Sequence, residues 1–273
     1  MIPLEDNFSD VLSKAQRGLR LSDTQLAERA RVSSQKIREL REGKFDELAL
    51  LRLAPVLGLA GRALRELAQG EWQPNPTESI KGLAQFTTRY QGMTVNAYLV
   101  WDPDSKDAIA FDTGADSREM LRFASKQRLS IKLILLTHAH PDHIADLPRL
   151  REETRASVLT SEHEPVPGAE SFQEGKDWHL GKITVDSRMT WGHSRGGMTY
   201  VMNGLSRPIA VVGDAIFAAS MGGGNVSYEE ALQTNLDKIL TLPDETIICP
   251  GHGPMTTVGE EKVHNPFFAG RVS

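Results

Sequence analysis

The sequence predicts an α/β domain preceded by a small all-α bundle, and three observations predict it. The first seventy residues repeat leucine, alanine and isoleucine at helical spacing. Later residues mix β-rich runs with helical patterns, and several of those runs end in glycine turns that carry histidine or aspartate. A chain of 273 residues with 40% hydrophobic content is long enough to bury a large core in one or two domains.

Residues 1–70 form the bundle. Leu19, Leu21, Leu26, Ala27, Ala30, Val32, Ile37 and Leu40 keep a helical period. Ser22 or Asp23 caps a helix that reaches about Arg31, Ser33 opens the next, which stops near Gly43, and segments near 45–57 and 61–68 complete five helices. The run Leu26-Ala27-Glu28-Arg29-Ala30-Arg31-Val32-Ser33-Ser34-Gln35-Lys36-Ile37-Arg38-Glu39 resembles the Cro/CI-type (XRE-like) helix-turn-helix. That resemblance implies that the helix from Ser33 enters the DNA major groove, with Ser34, Gln35 and Arg38 facing base edges or phosphates. Arg31 stands where the family commonly has glycine, and a left-handed conformation there costs an arginine about 1 kcal/mol.

Charge tests this reading. Residues 1–70 hold 12 Lys+Arg against 10 Asp+Glu, a net of +2, and the remainder 19 against 26, a net of −7. Such a weakly basic module binds DNA weakly unless a homodimer doubles its contacts. The other reading of the bundle is a dimerisation or capping element.

Residues 71–78, which include Trp72, Pro74 and Pro76, read as a linker, with Trp72 available to dock it. Residues 79–273 form the second domain. Strand patterns occur at 84–90, 94–101 and 107–111, the last followed by Asp112-Thr113-Gly114. Helical patterns lie at 117–127, 144–153 and 227–242, with further strands at 131–136, 182–190, 208–212 and 246–249.

Directly after the apolar run Ile131-Lys132-Leu133-Ile134-Leu135-Leu136, residues 137–143 read Thr-His-Ala-His-Pro-Asp-His. Three of the chain's eight histidines fall there, in a loop at the exit of a buried strand, where open α/β sheets place their ligands. Histidine and aspartate suit Zn²⁺, Mn²⁺ or Fe²⁺, and four such groups plus a distant ligand exceed the needs of one tetrahedral ion. Three glycine turns each add a ligand: Trp191-Gly192-His193-Ser194, Val211-Val212-Gly213-Asp214 and Cys249-Pro250-Gly251-His252-Gly253.

This ordered set resembles the metallo-β-lactamase superfamily, in its glyoxalase II-like branch. The resemblance implies an αββα sandwich in which His138, His140 and His193 hold one metal, Asp142, His143 and His252 hold a second, and Asp214 bridges both, with Asp142 and Asp214 as the catalytic carboxylates. Two divalent ions, zinc first and iron or manganese as alternatives, lower the pKa of a water they share. The implied reaction is hydrolysis of a thioester or related ester: hydroxide attacks the carbonyl, metal charge stabilises the oxyanion, and a thiolate of conjugate pKa about 8.5 leaves. Flavodiiron proteins of this fold carry glutamate where His140 stands, and many β-lactamases carry cysteine where Asp214 stands. Two other readings stay open: a mononuclear iron persulfide dioxygenase, and a transcription regulator that uses the fold as a sensor.

Substrate choice is less constrained. Only 21 residues follow His252, too few for the helical domain with which glyoxalase II helps hold glutathione. The run from Phe217 to Asn225 departs from the arginine-containing sequence often found after the Gly-Asp motif, which points to an apolar or uncharged acyl group in place of an anionic partner there. Arg195, where proline is common, is the candidate for a substrate carboxylate or phosphate, and its other reading is a solvated side chain. The segment 161–177 reads as a loop able to cap the site. No apolar run approaches the roughly 18 residues that span a bilayer, no secretory signal is visible, and the single Cys249 excludes an intrachain disulfide, so the expected location is cytoplasmic.

Overall fold

The computed structural model describes residues 2–76 and 78–271; Thr77 of the expected linker lies outside them. Five helices come first: α1 (Phe8–Gly18), α2 (Asp23–Ala30), α3 (Ser34–Arg41), α4 (Glu47–Val56) and α5 (Gly61–Gln69). The starts of α1 to α4 are fixed by side-chain caps. Asn7 and Ser22 close capping boxes with Asp10 and Gln25, and the Ser33 hydroxyl accepts from the Lys36 amide. Arg31 ends α2 in the left-handed region, φ 53° and ψ 45°, the conformation glycine would take without strain.

Two six-stranded sheets follow. The first has β1 (Leu83–Tyr90), β2 (Met93–Trp101), β3 (Asp107–Phe111), β4 (Ser130–Leu135), β5 (Ser157–Ser161) and β6 (Glu170–Phe172), in that spatial order. Its first three strands pair antiparallel, and β3 through β6 run parallel. The second holds β7 (Asp177–Leu180), β8 (Ile183–Met189), β9 (Met198–Asn203), β10 (Ile209–Gly213), β11 (Ile247–Pro250) and β12 (Thr256–Thr257), with a parallel pair at β10 and β11. Five helices complete the chain: α6 (Arg118–Gln127), α7 (Pro141–Ile144), α8 (Leu147–Thr154), α9 (Tyr228–Thr234), which runs into the π-helical turn Asn235–Ile239, and α10 (Val258–His264).

The sheets pack face to face through Tyr98, Phe111, Leu135, Tyr200, Val211 and Ile247. Met120 and Ala124 of α6 and Leu150 of α8 cover the outer face of the first sheet. On the outer face of the second, Val201 and Ala210 join one continuous cluster with Leu240, Phe267 and Phe268, and with Val11, Leu40 and Leu53 of the bundle. The bundle is therefore a fifth layer on the sandwich, and its apolar stripe is buried against the second domain. Residues 71–76 run without regular structure but are fastened: the Trp72 ring stacks on His264 at 4.8 Å, and the Asn75 amide donates to Glu260 at 2.8 Å. The expected capping loop at 161–177 contains the edge strand β6 instead of being wholly irregular, because Leu159, Thr160 and Ser161 pair with residues 170–172.

Candidate metal centre

The seven residues singled out by the motifs converge at one edge of the sandwich. His138 and His140 lie in the loop after β4, Asp142 and His143 in the one-turn helix α7, and Asp214 directly after β10. His193 follows β8, and His252 follows β11. They form two groups. His138, His140, His193 and Asp214 make one, and Asp142, His143 and His252 the other, with all ligand atoms of a group within 4.8 Å of one another.

In the first group, Nδ1 of His140 lies 3.0 Å from Nε2 of His138 and 3.0 Å from Nε2 of His193, and Oδ2 of Asp214 lies 3.3 Å from Nε2 of His193. Ligands about 2.0–2.1 Å from one tetrahedral ion stand about 3.3 Å apart, so this spacing suits a single cation at their centre. In the second, Oδ2 of Asp142 lies 3.3 Å from Nε2 of His252 and 3.7 Å from Nε2 of His143. Asp214 stands between them. Its Oδ1 is 3.3 Å from Nε2 of His143 and its Oδ2 is 3.4 Å from Nε2 of His252.

Two buried atoms in this cradle, Nε2 of His143 and Oδ1 of Asp214, have no hydrogen-bond partner among the described residues. Buried polar atoms are rarely left so, and cations between the two groups would satisfy both. Charge agrees. Burial opposes a proton on His143, yet the Asp214 and Asp112 carboxylates outweigh it and push the imidazole up to about 10. His252 is likewise pushed up to about 11, chiefly by Asp214 against its burial. Burial and the neighbouring His143 hold His138 well down. An anionic pocket that draws protons onto imidazoles is one that positive metal charge fits.

Four of the five rings are aimed by a partner on the far nitrogen. Asp112 Oδ2 lies 2.8 Å from His143 Nδ1, Gly223 carbonyl 3.0 Å from His193 Nδ1, Thr94 carbonyl 2.5 Å from His252 Nδ1, and Thr137 Oγ1 3.1 Å from His138 Nδ1. Glycine is required where the backbone approaches these groups. A Cβ on Gly251 would sit 2.2 Å from Asp214 Oδ1, and one on Gly213, whose φ is +51°, would sit 2.5 Å from Thr137 Oγ1.

Sequence reasoning did not assign the positioning roles of Asp112, Thr137 and Thr94. Asp112-Thr113-Gly114 at the exit of β3 was the available signal, a carboxylate at the same edge as the ligand loops. It also missed the segment before α1. The Glu5 backbone passes close to Gly253, and burial raises the Glu5 carboxyl while His252 pulls it back. Arg195 is exposed. In α3, Gln35 and Arg38 are exposed and Ser34 is half-buried, with Gln35 donating to Glu39 at 3.1 Å.

Residues 90–252 match the Metallo-beta-lactamase superfamily, more than half of the chain. The chain belongs to the metallo-beta-lactamase superfamily. The probable metallo-hydrolase YqgX of Bacillus subtilis is 30% identical over 202 residues, 64% of this chain and 92% of that protein. The hydroxyacylglutathione hydrolase GloC of Haemophilus influenzae is 27% identical over 198 residues, 63% of this chain and 92% of that one. Among solved structures, TTHA1623 in a di-iron-bound form is 26% identical, with a TM-score of 0.55 over 67% of this chain and 100% of that one. No helix among the described residues is long and apolar enough to cross a membrane.

Proposed function

We propose that this superfamily member is a binuclear metal-dependent hydrolase of thioesters or related esters. The observation that carries the reading is Asp214 standing between two complete ligand groups, within 3.3–3.4 Å of imidazole nitrogens from both. His138, His140 and His193 would hold one ion and Asp142, His143 and His252 the other, with Asp214 common to both. Zinc is the first choice for such a set, and iron or manganese also suit it; the di-iron form of the similar structure supports occupancy by two ions. Bound there, such ions supply a hydroxide nucleophile near neutral pH and electrophilic charge for the developing oxyanion.

The protein's own part is orientation. Asp112, Thr94, Thr137 and the Gly223 carbonyl fix the four rings they touch. His138, His143 and His252 are buried while His140 and His193 are partly exposed, so substrate reaches the centre from the His140 and His193 side. A thiolate leaves without prior protonation, and the reaction makes no demand on a strong proton donor. Similarity to GloC supports a thioester over other esters.

For the bundle, we propose a capping role in preference to DNA binding. Its apolar stripe is continuous with the outer face of the second sheet, and its net charge is only +2. Metal analysis of the purified protein together with a thioester panel tests the main reading. Close to two transition metals per chain and thioester cleavage are expected; a single iron per chain with oxygen consumed on persulfide addition would replace the hydrolase by a dioxygenase.

A further inference from the structure

The segment where sequence expected an uncharged substrate group is the segment against which α1 is seated. Lys14 reaches the Met221 carbonyl at 2.8 Å, pairs with buried Asp6, and lies 5.1 Å above the Phe217 ring, while Asp6 accepts from the Ser220 hydroxyl at 2.5 Å. Gly18 is pressed on Tyr228 so closely that a Cβ would fall 2.2 Å from its ring. This docking leaves a cavity of about 590 Å³ between α1 and the run from Gly223 to Glu229. Its wall on the α1 side is Lys14, Arg17, Gly18 and Arg20. It lies behind the metal centre: the Gly223 carbonyl at its edge is 3.0 Å from Nδ1 of His193, the nitrogen on the far side of that ring from the other ligands.

The charges in this cavity are unequal. Lys14 is matched by Asp6, but among the described residues neither Arg17 nor Arg20 pairs with a carboxylate; Arg17 spends its Nε on the Ser13 carbonyl. Glu229 is the acidic residue that lines the opposite side. Two exposed arginines lining a polar cavity offer bidentate sites for carboxylate or phosphate. We propose that Arg17 of α1 and Arg20 in the turn after it, both outside the superfamily span of residues 90–252, bind an anionic group of the substrate in this cavity. This deepens the proposed function and rests on it: the preferred thioester bears carboxylates or phosphates at the end remote from the reacting carbonyl, and α1 with the turn after it supplies the cations that the run from Phe217 to Asn225 lacks.

The test compares the metal-loaded wild type, Arg17→Ala/Arg20→Ala and Arg17→Lys/Arg20→Lys. Substrates are S-acetylglutathione (carboxylates), acetyl-coenzyme A (phosphates) and the neutral S-acetyl-N-acetylcysteamine. The alanine pair should raise KM for one or both anionic thioesters by about tenfold or more, leave kcat and the neutral substrate unchanged, and be largely rescued by the lysine pair. The anion affected identifies carboxylate or phosphate. Equal effects on charged and neutral substrates, or none on any, overturn the proposal. Binding of S-methylglutathione and coenzyme A by calorimetry gives a readout free of turnover. If the wild type cleaves no thioester yet binds one of these and the alanine pair does not, the hydrolase reading fails and the anion site stands; if the wild type binds neither, the anion site fails.

Discussion

Oδ2 of Asp112 lies 2.8 Å from Nδ1 of His143, and the same carboxylate accepts from the amide and hydroxyl of Thr137 at 2.7 Å each. It thus sets the tautomer that turns Nε2 of His143 toward Asp214. In Asp112→Asn, the amide can still accept from Thr137 but presents N–H toward His143, a donor facing a donor. Affinity for the second metal should fall about 10–100-fold with the fold intact. Zinc titration against a chromophoric chelator measures this, and unchanged affinity would show that His143 is oriented by something else.

Asp214→Ala should cost more, since that carboxylate meets both ligand groups. Loss of hydrolysis and of at least one metal per chain is expected by elemental analysis. Two tightly held metals in the variant would remove the bridge from the proposed centre.

Leaving-group chemistry gives a third expectation. Thioesters and activated esters should be cleaved far faster than unactivated amides, because an amine must be protonated as it leaves and a thiolate need not be. Comparable kcat/KM for matched thioester and amide substrates would contradict the mechanism.

Glu261 on α10 is fully buried, and burial pushes its carboxyl up to about 8 despite hydrogen bonding to Thr256, Asn265 and the Ala219 amide. Between the ordinary value of 4.5 and about 8, the folded chain keeps a proton that the unfolded chain has released. Stability from this group therefore falls as pH rises through that window, with the loss complete above it. Gln at this position accepts the same two N–H donors and gives its own N–H to Thr256. Glu261→Gln should gain on the wild type as pH rises, by several degrees in Tm near the alkaline end. Parallel Tm profiles would mean that the carboxyl ionises without penalty.

Removing residues 1–70 should expose the apolar cluster that Val11, Leu40 and Leu53 share with Val201 and Ala210. The expected result is an aggregating fragment with little hydrolysis, and a full-length chain without salt-sensitive DNA binding. A soluble, fully active fragment, with salt-sensitive DNA binding by the whole chain, would return the bundle to a DNA-reading role.

The ligand set was legible because each member sits in a short glycine or proline turn at a strand exit, so residue type and order survive in one dimension. The residues behind the ligands were not. Thr94 acts through its carbonyl, which any side chain would supply, and Asp112 is marked only by a strand-end turn. β9 escaped because it is buried on both faces: Tyr200 enters the core between the sheets while Val201 faces the outer layer, and no alternation remains to read. The helices of the bundle were visible from period and caps, but an apolar stripe does not name what covers it.

The hydrogen bond from Ser220 to Asp6 joins residues 214 apart in the chain. Loop closure over that distance comes late, and the partners of α1 leave the ribosome long after α1 itself. Although its caps and turns are local, the bundle waits through most of synthesis with its apolar stripe uncovered, and it is seated only when the chain after β10 has arrived. The first helices made thus depend for their cover on residues made near the end of the chain.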